Sequence, residues 1–216
     1  MKSTRFIALA TLMVATSTWA GPPAKPVGQA DILKLKGDAK RGEEVYEVCS
    51  ACHLPDGMGR DDGSLPVVSS QHPKVLIKQM VDIRVGNRVN PTMLPFAMQM
   101  QPEEFADVAV YMASLPLKAT NGKGPGAKLK RGEELYKRDC QTCHGAKGEG
   151  KEDKFIPMLA GQHYKYMFRQ MAEMHEGKRK NADKEMIKVI QPYMAPDLEA
   201  VTDYISRLDV TGLKKK

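Results

Sequence analysis

The sequence predicts an all-α protein made of two tandem domains related by internal duplication. Three observations lead there. The pentapeptide C-x-x-C-H occurs twice, as Cys49-Ser50-Ala51-Cys52-His53 and as Cys140-Gln141-Thr142-Cys143-His144, and it uses all 4 cysteines of the 216-residue chain. The residues around one copy repeat around the other. Within each repeat, apolar residues recur at helical spacing.

The repeat holds its register over long stretches. Lys40-Arg41-Gly42-Glu43-Glu44-Val45-Tyr46 matches Lys130-Arg131-Gly132-Glu133-Glu134-Leu135-Tyr136, and the second copy has one extra residue before its first cysteine. From His53 and His144 onward, Pro66 pairs with Pro157, Gln71-His72 with Gln162-His163, and Gln79-Met80 with Gln170-Met171. Gly86, Arg88 and Asn90 pair with Gly177, Arg179 and Asn181. After a two-residue insertion, Glu104 to Leu115 aligns with Asp197 to Leu208.

Each half reads as helical. An opening helix runs from about Ala39 toward Cys49, with a copy from Lys130 toward Cys140. A middle helix begins near Pro73, which a first turn tolerates, and carries Val75, Leu76, Gln79, Met80 and Ile83. The prolines of Asn90-Pro91-Thr92-Met93-Leu94-Pro95 predict a loop. A closing helix starts at Pro102-Glu103-Glu104, where proline and acids suit the first turn. Phe105, Val108, Ala109 and Met112 form its apolar stripe. Its counterpart starts at Pro196-Asp197 and runs to Leu208.

The predicted organisation is a signal peptide at 1–20, an extended arm at 21–36, a first domain at 37–117, a linker at 118–128 and a second domain at 129–216. Lys2 and Arg5, the apolar run Phe6 to Ala15, and Thr18-Trp19-Ala20 read as an export signal cleaved after Ala20, placing the mature chain in the periplasm. An uncleaved anchor is the alternative; no later segment is long enough to span a bilayer. Lys118, Lys123 and Lys128 among Gly122, Gly124, Pro125 and Gly126 read as a linker, not a packed element.

C-x-x-C-H is the attachment spacing of a c-type haem: two thiols add across the vinyl groups, and the histidine becomes an axial iron ligand. Disulfides, a thioredoxin-like C-x-x-C pair, or a zinc site from Cys49, Cys52, Cys140 and Cys143 are the alternatives. None explains why histidine follows each pair. Two covalent haems, held by Cys49, Cys52 and His53 and by Cys140, Cys143 and His144, also suit the composition. Only 6% of residues are aromatic, thin for two small cores that a flat apolar cofactor would complete.

The sixth iron ligand decides between electron transfer and an open coordination site. Of 14 methionines, two pairs keep register: Met80 with Met171, at core-packing spacing, and Met93 with Met186, ahead of the closing helices. Met93 and Met186 are the candidate iron ligands; Met98, Met100 and Met194 rank behind them. His72 and His163 also repeat and would give bis-histidine haems. Pro66 and Pro157 follow each haem histidine at equal distance, placed to accept the imidazole Nδ1 proton, or else simply punctuating a loop.

The span from about Asp38 to Leu208 resembles the dihaem cytochromes c of the c-four family. The resemblance rests on both C-x-x-C-H strings, on Phe155-Ile156-Pro157-Met158-Leu159-Ala160-Gly161-Gln162, and on a methionine followed by an Ala/Val-rich helix containing tyrosine. It implies two class I cytochrome c domains about a pseudo-twofold axis, methionine ligation by Met93 and Met186, and proline carbonyls supporting the histidines. In the first half, Leu65-Pro66-Val67-Val68-Ser69-Ser70-Gln71 departs from the pattern.

The function expected is an electron carrier without substrate chemistry, between a quinol-oxidising complex or dehydrogenase and a terminal oxidase or reductase. A dihaem peroxidase or thiosulfate-oxidising enzyme would need an axial methionine to dissociate; a permanent electron-transfer subunit is the third reading. The formal charge of +7, about +5 without Lys2 and Arg5, favours transient docking on acidic patches of redox proteins. Nucleic-acid binding has no support. Lys214-Lys215-Lys216 gives at most peripheral membrane contact.

Overall fold

Each half is built on the crossing of its opening and closing helices. The computed structural model describes residues 28–213; the signal peptide, the first part of the arm and the Lys214–Lys216 tail lie outside the described residues. The first half contains α1 (Gln29–Ile32), α2 (Ala39–His53), α3 (Pro73–Arg84), α4 (Leu94–Gln99) and α5 (Pro102–Ser114). The second contains α6 (Leu129–Leu135), a π turn at Tyr136–Cys140, α7 (Gln141–His144), α8 (Tyr164–His175), α9 (Lys184–Ile190) and α10 (Ala195–Ser206). Among the described residues the extended pairing is one isolated bridge, Lys151 with Ile156.

α2 starts where the Asp38 carboxylate accepts the Lys40 and Arg41 backbone N–H groups, satisfying donors that a helix start leaves open. Asp107 of α5 then ties the two helices together, accepting from the Asp38 N–H at 2.6 Å and from the Arg41 guanidinium at 2.8 Å. Contact is close enough to require glycine. A Cβ at Gly42 would lie 2.1 Å from the Asp107 carbonyl oxygen, and one at Gly132 would lie 2.1 Å from that of Ala200. One turn further on, Tyr46 meets Tyr111 with ring centroids 5.2 Å apart, and Tyr136 meets Tyr204 at 5.6 Å. The crossing is thus the same in both halves, and two separate apolar cores grow from it.

The extra residue of the second half is absorbed as the π turn between Tyr136 and Cys140. The bulge lets both ends keep their places. Tyr46 donates its hydroxyl to the Leu54 carbonyl at 2.8 Å, and Tyr136 donates to the matching Gly145 carbonyl at 2.6 Å.

Three expectations change. The opening helix does not stop near Cys49 but continues through the pentapeptide to His53. The arm is not extended from residue 28 onward: α1 carries Ile32 into the first core beside Tyr46 and Phe105, at 1% exposure. Burial of that side chain, invisible to local patterning, fixes the segment. The 118–128 segment is packed, not free. Asn121 donates to the Gln162 and Ser206 carbonyls, both at 2.8 Å, and the Gly126 N–H donates to Asp203 at 2.6 Å. Its glycines serve close approach: a Cβ at Gly122 would lie 2.2 Å from the Asp61 carbonyl oxygen of the first half.

The halves meet through bonds that are reciprocal under the repeat. Gln71 donates to the Met158 carbonyl and accepts from its N–H, both at 2.9 Å. Gln162 does the same to Val67, at 2.9 and 3.0 Å. His72 Nε2 lies 2.8 Å from the Glu149 carbonyl, and His163 Nε2 lies 2.7 Å from the Met58 carbonyl. This is the pseudo-twofold relation. Ser70, in the departing stretch of the first half, takes φ 57°, matching Gly161 at φ 76°. The backbone path therefore survives the change of sequence.

His163 also accepts the Gly122 N–H on Nδ1 at 2.9 Å, so its proton sits on Nε2 and is donated to Met58. Burial holds this imidazole below its ordinary pKa, with the Met58 carbonyl opposing. The unfolded chain therefore binds the proton more readily than the folded one. The stability His163 lends is complete above about pH 6.5 and is lost as pH falls below it, with a limiting slope of about 1.4 kcal/mol per pH unit. Urea unfolding of the holoprotein between pH 7.5 and 5 should show a steeper loss for wild type than for His163→Gln; equal slopes would refute the assignment.

Candidate functional site

The pentapeptide's geometry follows from where α2 and α7 end. A helix places cysteines three apart on one face, and the next residue, histidine, is the last in the helix. His53 and His144 are both buried, each 7% exposed. His53 Nδ1 lies 3.1 Å from the Pro66 carbonyl oxygen, and His144 Nδ1 lies 3.0 Å from that of Pro157. A carbonyl only accepts, so each ring carries its proton on Nδ1 and leaves Nε2 with a lone pair. Burial holds both imidazoles below their ordinary pKa, against the pull of the proline carbonyls. Both conditions suit an iron ligand.

The thiols do not suit the alternatives. All four are free. Burial pushes the Cys140 thiol up to about 12 and raises that of Cys49, opposite to the low value a redox-active C-x-x-C pair needs. Among the described residues, no group of three or more His, Cys, Asp or Glu side chains could hold a metal ion, so the two cysteine pairs do not build a zinc site.

Two glycines that sequence reading passed over shape the histidine support. The Gly59 N–H donates to the His53 carbonyl at 3.0 Å and the Gly150 N–H to that of His144 at 2.8 Å. Both have positive φ, and a Cβ at either would come within 2.6 Å of the proline carbonyl oxygen. Their equal spacing after each histidine was the available signal.

Met93 lies in the expected irregular segment, a turn at 91–93, but Met186 does not. Met93 is the N-cap of α4, and Met186 lies inside α9. Proline suits a helix's first turn, which is why Pro95 did not prevent α4, while Pro91 stays in the turn before it. The two residues are held alike: Asn90 Oδ1 accepts the Met93 N–H and Asp183 Oδ1 accepts the Met186 N–H, each at 3.2 Å. Both side chains are half-buried, and Met186 packs against the second core. Met80 and Met171 lie on α3 and α8 against the cores, as core packing requires. Met98 and Met194 are exposed, at 55% and 71%. Both ring nitrogens of His163 are already bonded within the domain contact.

Between the halves lie two arginines with an unmet need. Buried Arg88 donates to Gln79, Gln170 and the Tyr166 hydroxyl at 2.6–2.8 Å, and half-buried Arg179 to Asn181 and Gln170 at 3.0 and 3.2 Å. Every one of these acceptors is neutral. Nearby Asp82 is taken by Lys78 and Asn181, and Glu173 by Gln170. Burial, then the neighbouring Arg88 charge, brings Arg179 down to about 10. Buried cations normally find anions, and a c-type haem brings two carboxylates. The chain's own groups fit that cofactor.

The family model for cytochrome c matches twice, over residues 39–116 and 129–209. Cytochrome c4 of Pseudomonas aeruginosa is 30% identical, over 84% of this chain and 94% of that protein. The chain belongs to the cytochrome c4 family. A thiosulfate dehydrogenase electron acceptor from Stutzerimonas stutzeri is 29% identical over 82% of this chain and 90% of its own length. The crystal structure of reduced recombinant cytochrome c4 from Pseudomonas stutzeri, 29% identical, superposes with a TM-score of 0.72 over 80% of this chain and 100% of that one. The protein is therefore a dihaem electron carrier with two covalently attached c-type haems, one per repeat.

The crowding at Gly150 can be separated from its backbone strain. Gly177 has φ 69° with nothing within 4 Å, whereas Gly150 has φ 73° and faces the Pro157 carbonyl. Alanine at either costs about 1–2 kcal/mol for the left-handed conformation. Gly150→Ala should cost clearly more than Gly177→Ala in guanidinium unfolding of the holoprotein. Equal losses would show that the carbonyl is not held by this contact.

Proposed function

We propose that this cytochrome is a periplasmic carrier whose two irons are each closed by histidine and methionine, so that electrons pass but no substrate binds. In this reading Cys49 and Cys52 carry one haem and Cys140 and Cys143 the other, His53 and His144 ligate iron through Nε2, and Met93 and Met186 supply the sixth ligands. The domains are 37–117 and 129–216, with the docked 118–128 segment between them. The haems supply a one-electron change at iron. The chain's residues do the rest: Pro66 and Pro157 fix the imidazole protons, and Arg88 and Arg179 neutralise haem carboxylates in the crevice. The matched hydrogen bonds that Asn90 and Asp183 accept from the Met93 and Met186 backbones are the observation that carries methionine ligation.

The charge is uneven, which refines the choice of partner. Residues 39–116 hold 7 Lys and Arg against 10 Asp and Glu, whereas 129–209 hold 15 against 14. The positive excess comes from the 118–128 segment, the C-terminal lysines and the N-terminal residues. Docking on acidic patches is thus assigned to the second half rather than to the acidic first half. The donor we favour is a periplasmic dehydrogenase, on the example of the thiosulfate dehydrogenase electron acceptor; a quinol-oxidising complex is the other source, and an oxidase or reductase the sink. No helix among the described residues is long and apolar enough to cross a membrane.

Ligation is tested by spectroelectrochemistry of the holoprotein with near-infrared detection. A sulfur-to-iron(III) band is expected for both haems, with no carbon monoxide binding to the reduced protein. Met93→His should remove half of that band and lower one of two potentials, because histidine favours iron(III) more than methionine does. An unchanged titration would remove Met93 as ligand. Cys49→Ser with Cys52→Ser should reduce covalent haem from two to one per chain by mass spectrometry; loss of both would mean that the halves do not load independently.

A further inference from the structure

The one place where the duplication is broken inside a haem-attachment helix is the residue before the first cysteine. In the first half this is Val48, 63% exposed, on a regular helix. In the second half the π turn brings Asp139 to that position, directly before Cys140. Asp139 accepts the Tyr193 hydroxyl at 2.5 Å and pairs with Arg138 at 2.6 Å. Tyr193 is 4% exposed and packs in the second core together with Cys140 and Met171. Its counterpart at the same distance before the closing helix is Met100, which offers no hydroxyl and packs on the first core. Both members of the pair therefore belong to the second half alone.

We propose that Asp139 and Tyr193 set the reduction potential of the second haem: the carboxylate beside the Cys140 thioether favours iron(III) and lowers that potential, and the Tyr193 hydroxyl limits how far. The competing charge is Arg138. Its side chain is 60% exposed, against 22% for Asp139, so water screens the cation more than the anion. Net charge and hydrogen bonding near a haem are what a protein uses to tune potential. Two haems in one duplicated fold thereby acquire different potentials from a single inserted residue. The inference rests on the electron-carrier reading, and it concerns residues that are neither iron ligands nor attachment sites.

The experiment is a potentiometric titration of the holoprotein, following haem absorbance at fixed pH. Asp139→Asn keeps an acceptor for Tyr193 and removes the charge; it should raise one wave by roughly a tenfold change in the one-electron equilibrium, about 59 mV, and leave the other in place. Tyr193→Phe keeps the ring but exposes the full carboxylate charge, and should lower the same wave. The double variant should resemble Asp139→Asn, since the hydroxyl acts only through the carboxylate. A merely structural pair would shift unfolding midpoints in both variants without opposite movements of one potential.

In a Met93→His background the wave displaced by the histidine marks the first haem, and Asp139→Asn must move the other one. If Met93→His moves neither wave, methionine ligation falls while the opposite-sign test still decides the pair. If Asp139→Asn moves both waves equally, or neither, the pair does not tune the second haem and the proposal is overturned.

Discussion

A histidine that is to hold iron must present an unprotonated nitrogen in one fixed direction, and for His53 and His144, the ligands proposed here, a proline carbonyl imposes this. The bonds from His53 to Pro66 and from His144 to Pro157, at 3.1 and 3.0 Å, select the tautomer and orient the ring before any metal arrives. Much of the surrounding structure serves that contact. The helix must run to the histidine itself, so the cysteines share its face. The loop must then return the proline carbonyl to the ring, which a glycine at 59 or 150 allows by passing against it without a side chain. The helix-crossing glycines anchor the other end of the same helix against α5 or α10. Remove the carbonyl and the ring is free to turn; the helix alone would not aim it.

The contact between the halves uses a second set of repeated residues for a different end. His72 and His163 occur at matching places, which made them candidates for iron. Their repetition has another cause: each reaches a backbone carbonyl of the opposite half, as Gln71 and Gln162 do with both their amide groups. A duplicated chain that packs on itself about a twofold axis uses every interface residue twice, so interface residues repeat as faithfully as ligands. The Gln and His bonds each have an image under the repeat, whereas those of Arg88 to Tyr166 and Gln170 and of Asn181 to Asp82 do not. These bonds hold the two halves in one relative placement.

Much of this was legible because covalent attachment dictates spacing. Cys49, Cys52 and His53, with their copies, need only one helical turn, and the pentapeptide states it. The middle and closing helices were visible through proline at their first turns and an apolar stripe behind. What escaped depended on partners far away in sequence. Nothing local distinguishes Ile32 in an arm from Ile32 in a core, since only contact with Tyr46 and Phe105 makes the difference. The 118–128 glycines looked like flexibility because glycine permits both mobility and close approach; the bonds of Asn121 to the Gln162 and Ser206 carbonyls and of the Gly126 N–H to Asp203 of α10 settle it. The extra residue before Cys140 was plain in the alignment of the halves, but its placement as a π turn was not.

That inserted residue shows how a duplication diverges without losing its fold. Ser70 could replace a glycine because its backbone still reaches the left-handed conformation and its hydroxyl finds the Leu115 carbonyl at 2.7 Å. Asn90 and Asp183 could differ in charge because either side chain supplies the oxygen that holds the methionine backbone. These exchanges keep geometry and change electrostatics. The insertion does the same at larger scale: the bulge preserves the Tyr136 and Cys140 positions while placing a carboxylate against a buried phenol. Geometry is what attachment and ligation demand, so it is shared by both halves. Charge is what separates the two centres, and it is free to vary wherever the backbone path is maintained by another group.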